Sequence, residues 1–265
     1  MYHSHLLINV GEDPDRADWD ICRRWLRNLY RVHQRLCMAF PSADSGGGDV
    51  HQTRGGNGGF LFRIDYPANT ERGGRRPVVL VQSASQPNWD DAFGLTKDAK
   101  DDGGRLIGDA GFLLAAPPQS REVSFGLDGE TLTLSCPSRP DQCCRVRLGD
   151  LVRFRLRANP TRRAHDNGKR LRVEPGLEAH ADWLTSKLVD TGASPICIET
   201  FAPSWAYGWQ GEHEPQGPRR MQWWSVLFEG SFRVGNTAAL KALLESGIGS
   251  AKAFGFGLLS VAPAG

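Results

Sequence analysis

Long apolar runs are missing from this chain. No stretch of about 18 consecutive apolar residues occurs, so nothing reads as a membrane-spanning helix. The first ten residues, Met-Tyr-His-Ser-His-Leu-Leu-Ile-Asn-Val, lack the basic and long apolar regions of a secretory signal, and read as the start of a strand. The 6 cysteines include no Cys-x-x-Cys pair, and Cys143 and Cys144 are adjacent, which is the spacing of neither a disulfide framework nor a zinc site. Reduced thiols and a cytoplasmic location are therefore expected. Several catalytic motifs are missing as well: Gly-x-Gly-x-x-Gly, the P-loop Gly-Lys-Ser/Thr, His-Glu-x-x-His, Gly-x-Ser-x-Gly, and any Asp/Glu cluster at metal-binding spacing. The expectation is a protein with no metal site and no cofactor.

What is present is ordinary in bulk and uneven in place. The 265 residues suffice for two small domains or one large one, and 40% are hydrophobic. The formal net charge is only +2. Residues 145–172, however, carry ten Lys/Arg against Asp150 and Asp166, a net +8 in 28 residues, whereas residues 90–109 are rich in Asp and Gly. Charge segregated in this way points to a polyanion met on one surface.

The order of elements predicts the architecture. Residues 5–10 read as a strand. Asp18 or Asp20 can cap a helix running to about Phe40, where Pro41 and a Ser/Gly-rich segment stop it. Residues 60–66 and 77–83 read as strands, a short helix and a long loop fall between residues 88 and 118, and a further strand lies within residues 123–134. The series then recurs: a strand at 151–158, a helix at 177–189, strands at 194–201 and 223–234 around a Pro/Gly/Trp-rich excursion at 203–220, a helix at 237–245 capped by Asn236, and a strand at 256–261. Two tandem ferredoxin-like β-α-β-β-α-β domains are expected, an α+β fold, with residues 1–140 forming the first and 146–265 the second. Only the order of elements supports the duplication, since the sequence itself does not repeat.

Three regions carry candidate chemistry. In residues 151–158, Arg153, Arg155 and Arg157 alternate with Val152, Phe154, Leu156 and Ala158, so a strand would raise an arginine row on one face and bury the other. Arg162, Arg163, Lys169 and Arg170 follow in a loop. The array suits nucleic-acid phosphates, and guanidinium can also read guanine edges; a solvated edge with nearby acids is the structural alternative. Near the C-terminus, Gly247, Gly249, Gly255 and Gly257 surround Lys252, a glycine-rich loop able to turn several N–H groups toward an anion beside a mobile charge, or else an ordinary turn. On the first helix, Arg24, Arg27, Arg31 and Arg35 form a stripe, while Cys22, Leu26, Leu29, Leu36 and Phe40 form the apolar side. His33 falls within that apolar side with Tyr30 three residues earlier. His33 reads either as a packed core histidine or, where the helix surface is open, as a titratable imidazole beside a phenol. His3 and His5 share a strand face without a third ligand, and His165 and His180 read as solvated. Trp205, Trp209, Trp223 and Trp224 can stack bases or pack a core.

Together these pieces resemble a known family. Tyr30-Arg-Val-His33-Gln-Arg-Leu with Phe40-Pro41, Phe60-Leu-Phe-Arg-Ile, Val79-Leu-Val-Gln-Ser83, Phe154-Arg-Leu-Arg-Ala-Asn-Pro160 and Gly168-Lys-Arg170 are similar to the CRISPR repeat-RNA endoribonucleases of the type I-E system, the CasE family. Trp183-Leu184, Val226-Leu-Phe-Glu-Gly230, Gly247-Ile-Gly-Ser-Ala-Lys252 and Leu258-Leu-Ser-Val-Ala-Pro263 continue the likeness in the family's order to the C-terminus. The resemblance implies two RRM-related domains and metal-independent cleavage of precursor CRISPR RNA at its repeat hairpin. It also implies that product crRNA stays bound while the protein remains with other Cascade subunits. It implies Tyr30 and His33 as the catalytic pair, Arg155, Arg157, Lys169 and Arg170 as the grip on the stem, and the Gly247–Gly257 loop with Lys252 along the backbone. Where some relatives carry a lysine or histidine five residues after the catalytic histidine, this chain has Met38, and Arg35 or another cation is the expected substitute. Segments 43–59, 96–111 and 203–220 read as insertions. The alternative function is an RRM-like RNA-binding subunit that does not cut.

Overall fold

The computed structural model describes residues 1–10, 17–40, 59–66, 76–94, 110–138, 143–163, 169–210 and 219–264. The chain divides into two compact units, Met1–Arg121 with Tyr207–Gln222, and Glu122–Ala206 with Trp223–Gly265. Both are mixed α and β, with antiparallel sheets.

The first unit contains β1 (Tyr2–Leu7), α1 (Ala17–Arg27), α2 (Leu29–Cys37), β2 (Phe60–Asp65), β3 (Val78–Ser83), α3 (Trp89–Phe93) and β4 (Gln119–Glu122). Its strands lie in the order β2-β3-β1-β4. Alternation sets the two faces of the sheet. Leu6, Phe60, Phe62, Ile64, Val79 and Val81 are buried, as are Leu29, Val32 and Leu36 on α2. Burying each such side chain stabilises the fold by about 1.5–3 kcal/mol. Phe40 stacks on Phe60 at 4.9 Å and meets Trp89 edge-on at 6.1 Å. Trp89 in turn donates its indole N–H to Ser120 Oγ at 2.8 Å. The single long helix expected to about Phe40 is two helices, broken at Asn28.

The second unit contains β5 (Ser124–Asp128), β6 (Thr131–Ser135), β7 (Cys144–Arg147), β8 (Leu151–Ala158), β9 (Thr161–Arg163), β10 (Arg170–Arg172), α4 (Leu177–Leu188), β11 (Ile196–Gln210), β12 (Arg219–Arg233), α5 (Thr237–Ser246) and β13 (Leu259–Pro263). The distal ends of β11 and β12 belong to the first unit. The main sheet runs β11-β12-β8-β13, with β5-β6-β7 and β9-β10 as separate small sheets. Its core joins Val152, Phe154 and Leu156 of β8 to Phe228 and Phe232 of β12, Leu184 and Leu188 of α4, and Leu240 and Leu244 of α5.

Three further features differ from the sequence reading. The division falls at Arg121, ahead of the 140–146 join, because β6 pairs with β7 from Thr131↔Arg147 to Leu134↔Cys144 and so carries residues 124–147 into the second unit. The one strand read in residues 123–134 is two, β5 and β6, turning at Gly129. Residues 203–210 and 219–220, read as an irregular excursion, are strand. Close approach marks β12: a Cβ built at Gly230 would stand 1.9 Å from the Cys197 carbonyl oxygen, so only glycine fits there. Segments 43–58 and 96–109 of the expected insertions, and His165, lie outside the described residues. Among the described residues, no helix is long and apolar enough to cross a membrane.

Candidate active site and nucleic-acid interface

The candidate catalytic helix, α2, begins at a built joint. Asn28 is 4% exposed and sits in non-helical backbone, φ −104° and ψ 88°. Its Oδ1 accepts from the Arg31 N–H at 3.4 Å, the N-cap bond that meets one of the helix's orphan donors. The same oxygen accepts from the Trp209 backbone N–H at 3.0 Å, while Nδ2 donates to the Trp209 carbonyl at 3.3 Å. One amide thus caps the helix and reproduces a backbone pairing with β11, beside a parallel bridge from Asn28 to Tyr207. Asn28→Ala removes the cap, worth about 0.5–2 kcal/mol. It also strands two Trp209 backbone groups at about 1–3 kcal/mol each where they stay shielded from water. Urea unfolding should register a loss of about 2.5 kcal/mol or more, and Asn28→Asp, which keeps the acceptor, should lose less.

Tyr30 and His33 follow on α2, one turn apart. Tyr30 is half-exposed. His33 is 6% exposed, stacks on Phe60 with ring centroids 6.0 Å apart and planes at 29°, and has Cys37 Sγ 3.5 Å from Nε2 and 3.8 Å from Nδ1. The imidazole therefore lies on the packed side of α2, as its helical phase required. Arg35 lies elsewhere. Two residues on from His33, it points to the other side of the helix, where Nη1 donates to the Ala92 carbonyl at 3.0 Å and burial lowers its pKa. With Arg24, Arg31, Gln34 and Met38 it lines a groove of about 830 Å3. The Arg35 guanidinium is thus engaged with the Ala92 carbonyl of α3.

In the second unit, β8 alternates as its sequence requires: Val152, Phe154, Leu156 and Ala158 are buried, Arg153 is exposed, and Arg155 and Arg157 are half-exposed. The row is partly compensated. Glu229 stands opposite Arg155 on β12 with Oε1 3.3 Å from Nε, and Arg157 Nη1 donates to Ser225 Oγ at 3.0 Å. Neither partner was read from the sequence, because cross-strand register is set only when β12 docks. Arg162, Arg163, Lys169 and Arg170 are all exposed. Arg163 faces Arg170 across the β9–β10 ribbon, and Arg162 Nη2 lies 4.0 Å from Glu174 Oε1.

The glycine-rich loop is a fixed element. Gly247, Gly249, Gly255 and Gly257 all have positive φ, as does Ala251. A Cβ at Gly257 would meet the Ile248 carbonyl oxygen at 2.5 Å. Ser250 ties the loop to the end of the arginine strand: its hydroxyl donates to the Asn159 carbonyl at 3.1 Å and bonds Asn159 Nδ2 and Thr161 Oγ1. Lys252, read as a mobile charge, donates Nζ to the Ser246 carbonyl at 2.7 Å and is half-buried, with its pKa lowered by burial. It braces the loop.

Two further histidines are structural. His180, read as solvated, is fully buried: Nε2 accepts from the Trp224 indole N–H at 3.1 Å, which leaves Nδ1 to donate to the Gly176 carbonyl. His3 bonds the Gln82 side chain at 2.9 Å, and burial pushes its pKa down to about 4. Among the described residues, no three of His, Cys, Asp or Glu converge as a metal site. Asn28 was missed for a physical reason: an asparagine inside an apolar period reads as a solvated helix residue unless its cap preference is weighed.

A family model described as CRISPR associated protein matches residues 1–105 and 114–263. The CRISPR-associated endoribonuclease Cse3 of Thermus thermophilus is 28% identical over 269 residues, 99% of this chain and 100% of that one. The CRISPR system Cascade subunit CasE of Escherichia coli is 28% identical over 254 residues, 92% of this chain and 96% of that one. A solved structure of the endoribonuclease Cse3 bound to a 19-nucleotide RNA superposes with a TM-score of 0.59 at 27% identity, covering 99% and 100% of the two chains.

Proposed function

The chain belongs to the CRISPR associated protein family, and from that membership we propose that it is an endoribonuclease that cuts precursor CRISPR RNA at the repeat hairpin. It keeps the mature crRNA and serves as a Cascade subunit in the cytoplasm. Full-length similarity to an endoribonuclease and to a Cascade subunit is the single observation that carries this reading. We read both units as ferredoxin-like domains. In each, the first strand lies between the third and fourth, and the second lies outside the third; the orders β2-β3-β1-β4 and β11-β12-β8-β13 support this.

The chemistry is transesterification within RNA, with no metal in the chemical step. The ribose 2′-OH upstream of the cut attacks the adjacent phosphorus, the new O2′–P bond closes a cyclic phosphate, and the P–O5′ bond breaks to release a 5′-OH. A base accepts the 2′ proton and an acid supplies one to the leaving oxygen. His33 serves one of these transfers and Tyr30 orients the 2′-OH or the phosphate, while cationic side chains balance the phosphorane charge. With His33 only 6% exposed, this reading requires the packing of the ring against Phe60 and Cys37 to open for RNA. Arg155, Arg157, Arg162, Arg163, Lys169 and Arg170 take stem phosphates, each neutralised phosphate releasing counterions. Gly247, Gly249 and Gly255 offer backbone N–H groups, and Lys252 holds their loop in shape.

The packing of His33 against Phe60 and Cys37 favours one second reading, an RRM-like subunit that binds RNA without cutting it. Incubation with the repeat hairpin in excess EDTA separates the two. Cleavage at the wild-type rate supports the endoribonuclease; binding without cleavage, with or without magnesium, supports the binding subunit. A strict magnesium requirement in a single turnover would sink the mechanism above.

A further inference from the structure

One aromatic cluster in the second unit is not used by the cleavage chemistry. Trp205 of β11 is 44% exposed, a large apolar surface left open to solvent. Trp224 of β12 meets it edge-on, ring centroids 4.8 Å apart and planes at 73°. Trp224 is held in place by its N–H bond to the fully buried His180, whose other nitrogen bonds the Gly176 carbonyl. Arg172 of β10 lies over both indoles, with Cζ 5.1 Å from the Trp205 centroid and 5.3 Å from that of Trp224. A guanidinium stacked on π faces keeps its N–H donors directed outward in its own plane, so the contact fixes the group without using up its hydrogen bonds.

The ribbon adds charge on the same side. Arg172 pairs with Thr161 and Arg170 with Arg163, so register puts Arg163, Arg170 and Arg172 on one face of β9–β10. Like charges directly opposite one another destabilise a strand pair, and an anion above them removes the penalty. An exposed indole on a rigid support, beside a row of guanidinium groups, matches the two parts of a nucleotide: a base with a π face and a phosphate. Bases inside a duplex have both faces covered by neighbours, so an unpaired base is the one free to leave the stack and lie on a side chain.

We propose that Trp205, backed by Trp224 and Arg172, is a stacking site for an unpaired RNA nucleobase where a flank leaves the stem, next to the last stem phosphates that Arg170 and Arg163 take. This rests on the RNA-processing reading and adds a contact outside the paired stem. The site selects RNA carrying a single-stranded flank over a blunt stem.

The test compares two fluorescently labelled RNAs: the repeat stem-loop as a blunt hairpin, and the same hairpin with a short unpaired adenosine flank. Each is titrated by anisotropy against the full-length protein. Trp205→Ala is expected to weaken the flanked RNA about tenfold, from the typical strength of base–aromatic stacking, while changing the blunt hairpin less than about twofold. Trp205→Phe, which keeps a π face, should recover most of the loss. An equal loss on both RNAs, no loss on either, or no recovery by phenylalanine overturns the inference. Wild-type cleavage of the blunt hairpin, run alongside, tests the parent reading alone, so the two can fail separately.

Discussion

His33→Ala is expected to slow single-turnover cleavage of the repeat hairpin by about 10²–10⁴-fold, the usual contribution of a positioned proton-transfer group. Hairpin affinity should stay within a few-fold of wild type. The asymmetry follows from the proposed division of labour: the cations proposed to take phosphate lie on β8 and along β9 and β10, whereas His33 is buried on α2. Because His33 also stacks on Phe60, a thermal melt must accompany the assay, and His33→Gln provides a variant that fills more of the same space. Joint loss of cleavage, binding and melting temperature would return His33 to core packing, as would full activity in a well-folded alanine variant.

A single 2′-deoxy substitution immediately upstream of the scissile phosphate is expected to abolish cleavage while leaving binding intact. The nucleophile belongs to the RNA, so removing one oxygen removes the reaction; no side chain can restore it. Binding survives because phosphate contacts, not that hydroxyl, supply most of the affinity. Continued cleavage of the deoxy substrate would mean that water attacks the phosphate, and would overturn the roles given to Tyr30 and His33. The same reasoning predicts that an all-DNA hairpin competes for the basic surface and is never cut.

Much of this was legible in the sequence because it depends on local period. The residues of β8 alternate strictly, so one face had to be apolar and the other cationic whatever packed against them. Asn236 and Gly247 punctuate α5 by capping chemistry that acts within one turn. The positions of Tyr30 and His33 on one helix follow in the same way, from a repeat of three to four residues.

Features that depend on distant partners were not legible. Lys252 and Ser250 look like free polar groups in a glycine-rich loop until the fold brings the Ser246 and Asn159 carbonyls to them. His180 looks solvated until β12 delivers the Trp224 indole 44 positions away. The helix expected to run unbroken to Phe40 is divided because Asn28 finds the Trp209 backbone, 181 residues on. Local sequence thus determined the elements, the cationic strand face and the candidate catalytic helix, since these depend on side-chain periodicity and caps alone. Tertiary structure decided which polar groups are braced or buried and where the helix breaks, because hydrogen bonds across such separations exist only once the strands that carry them have paired.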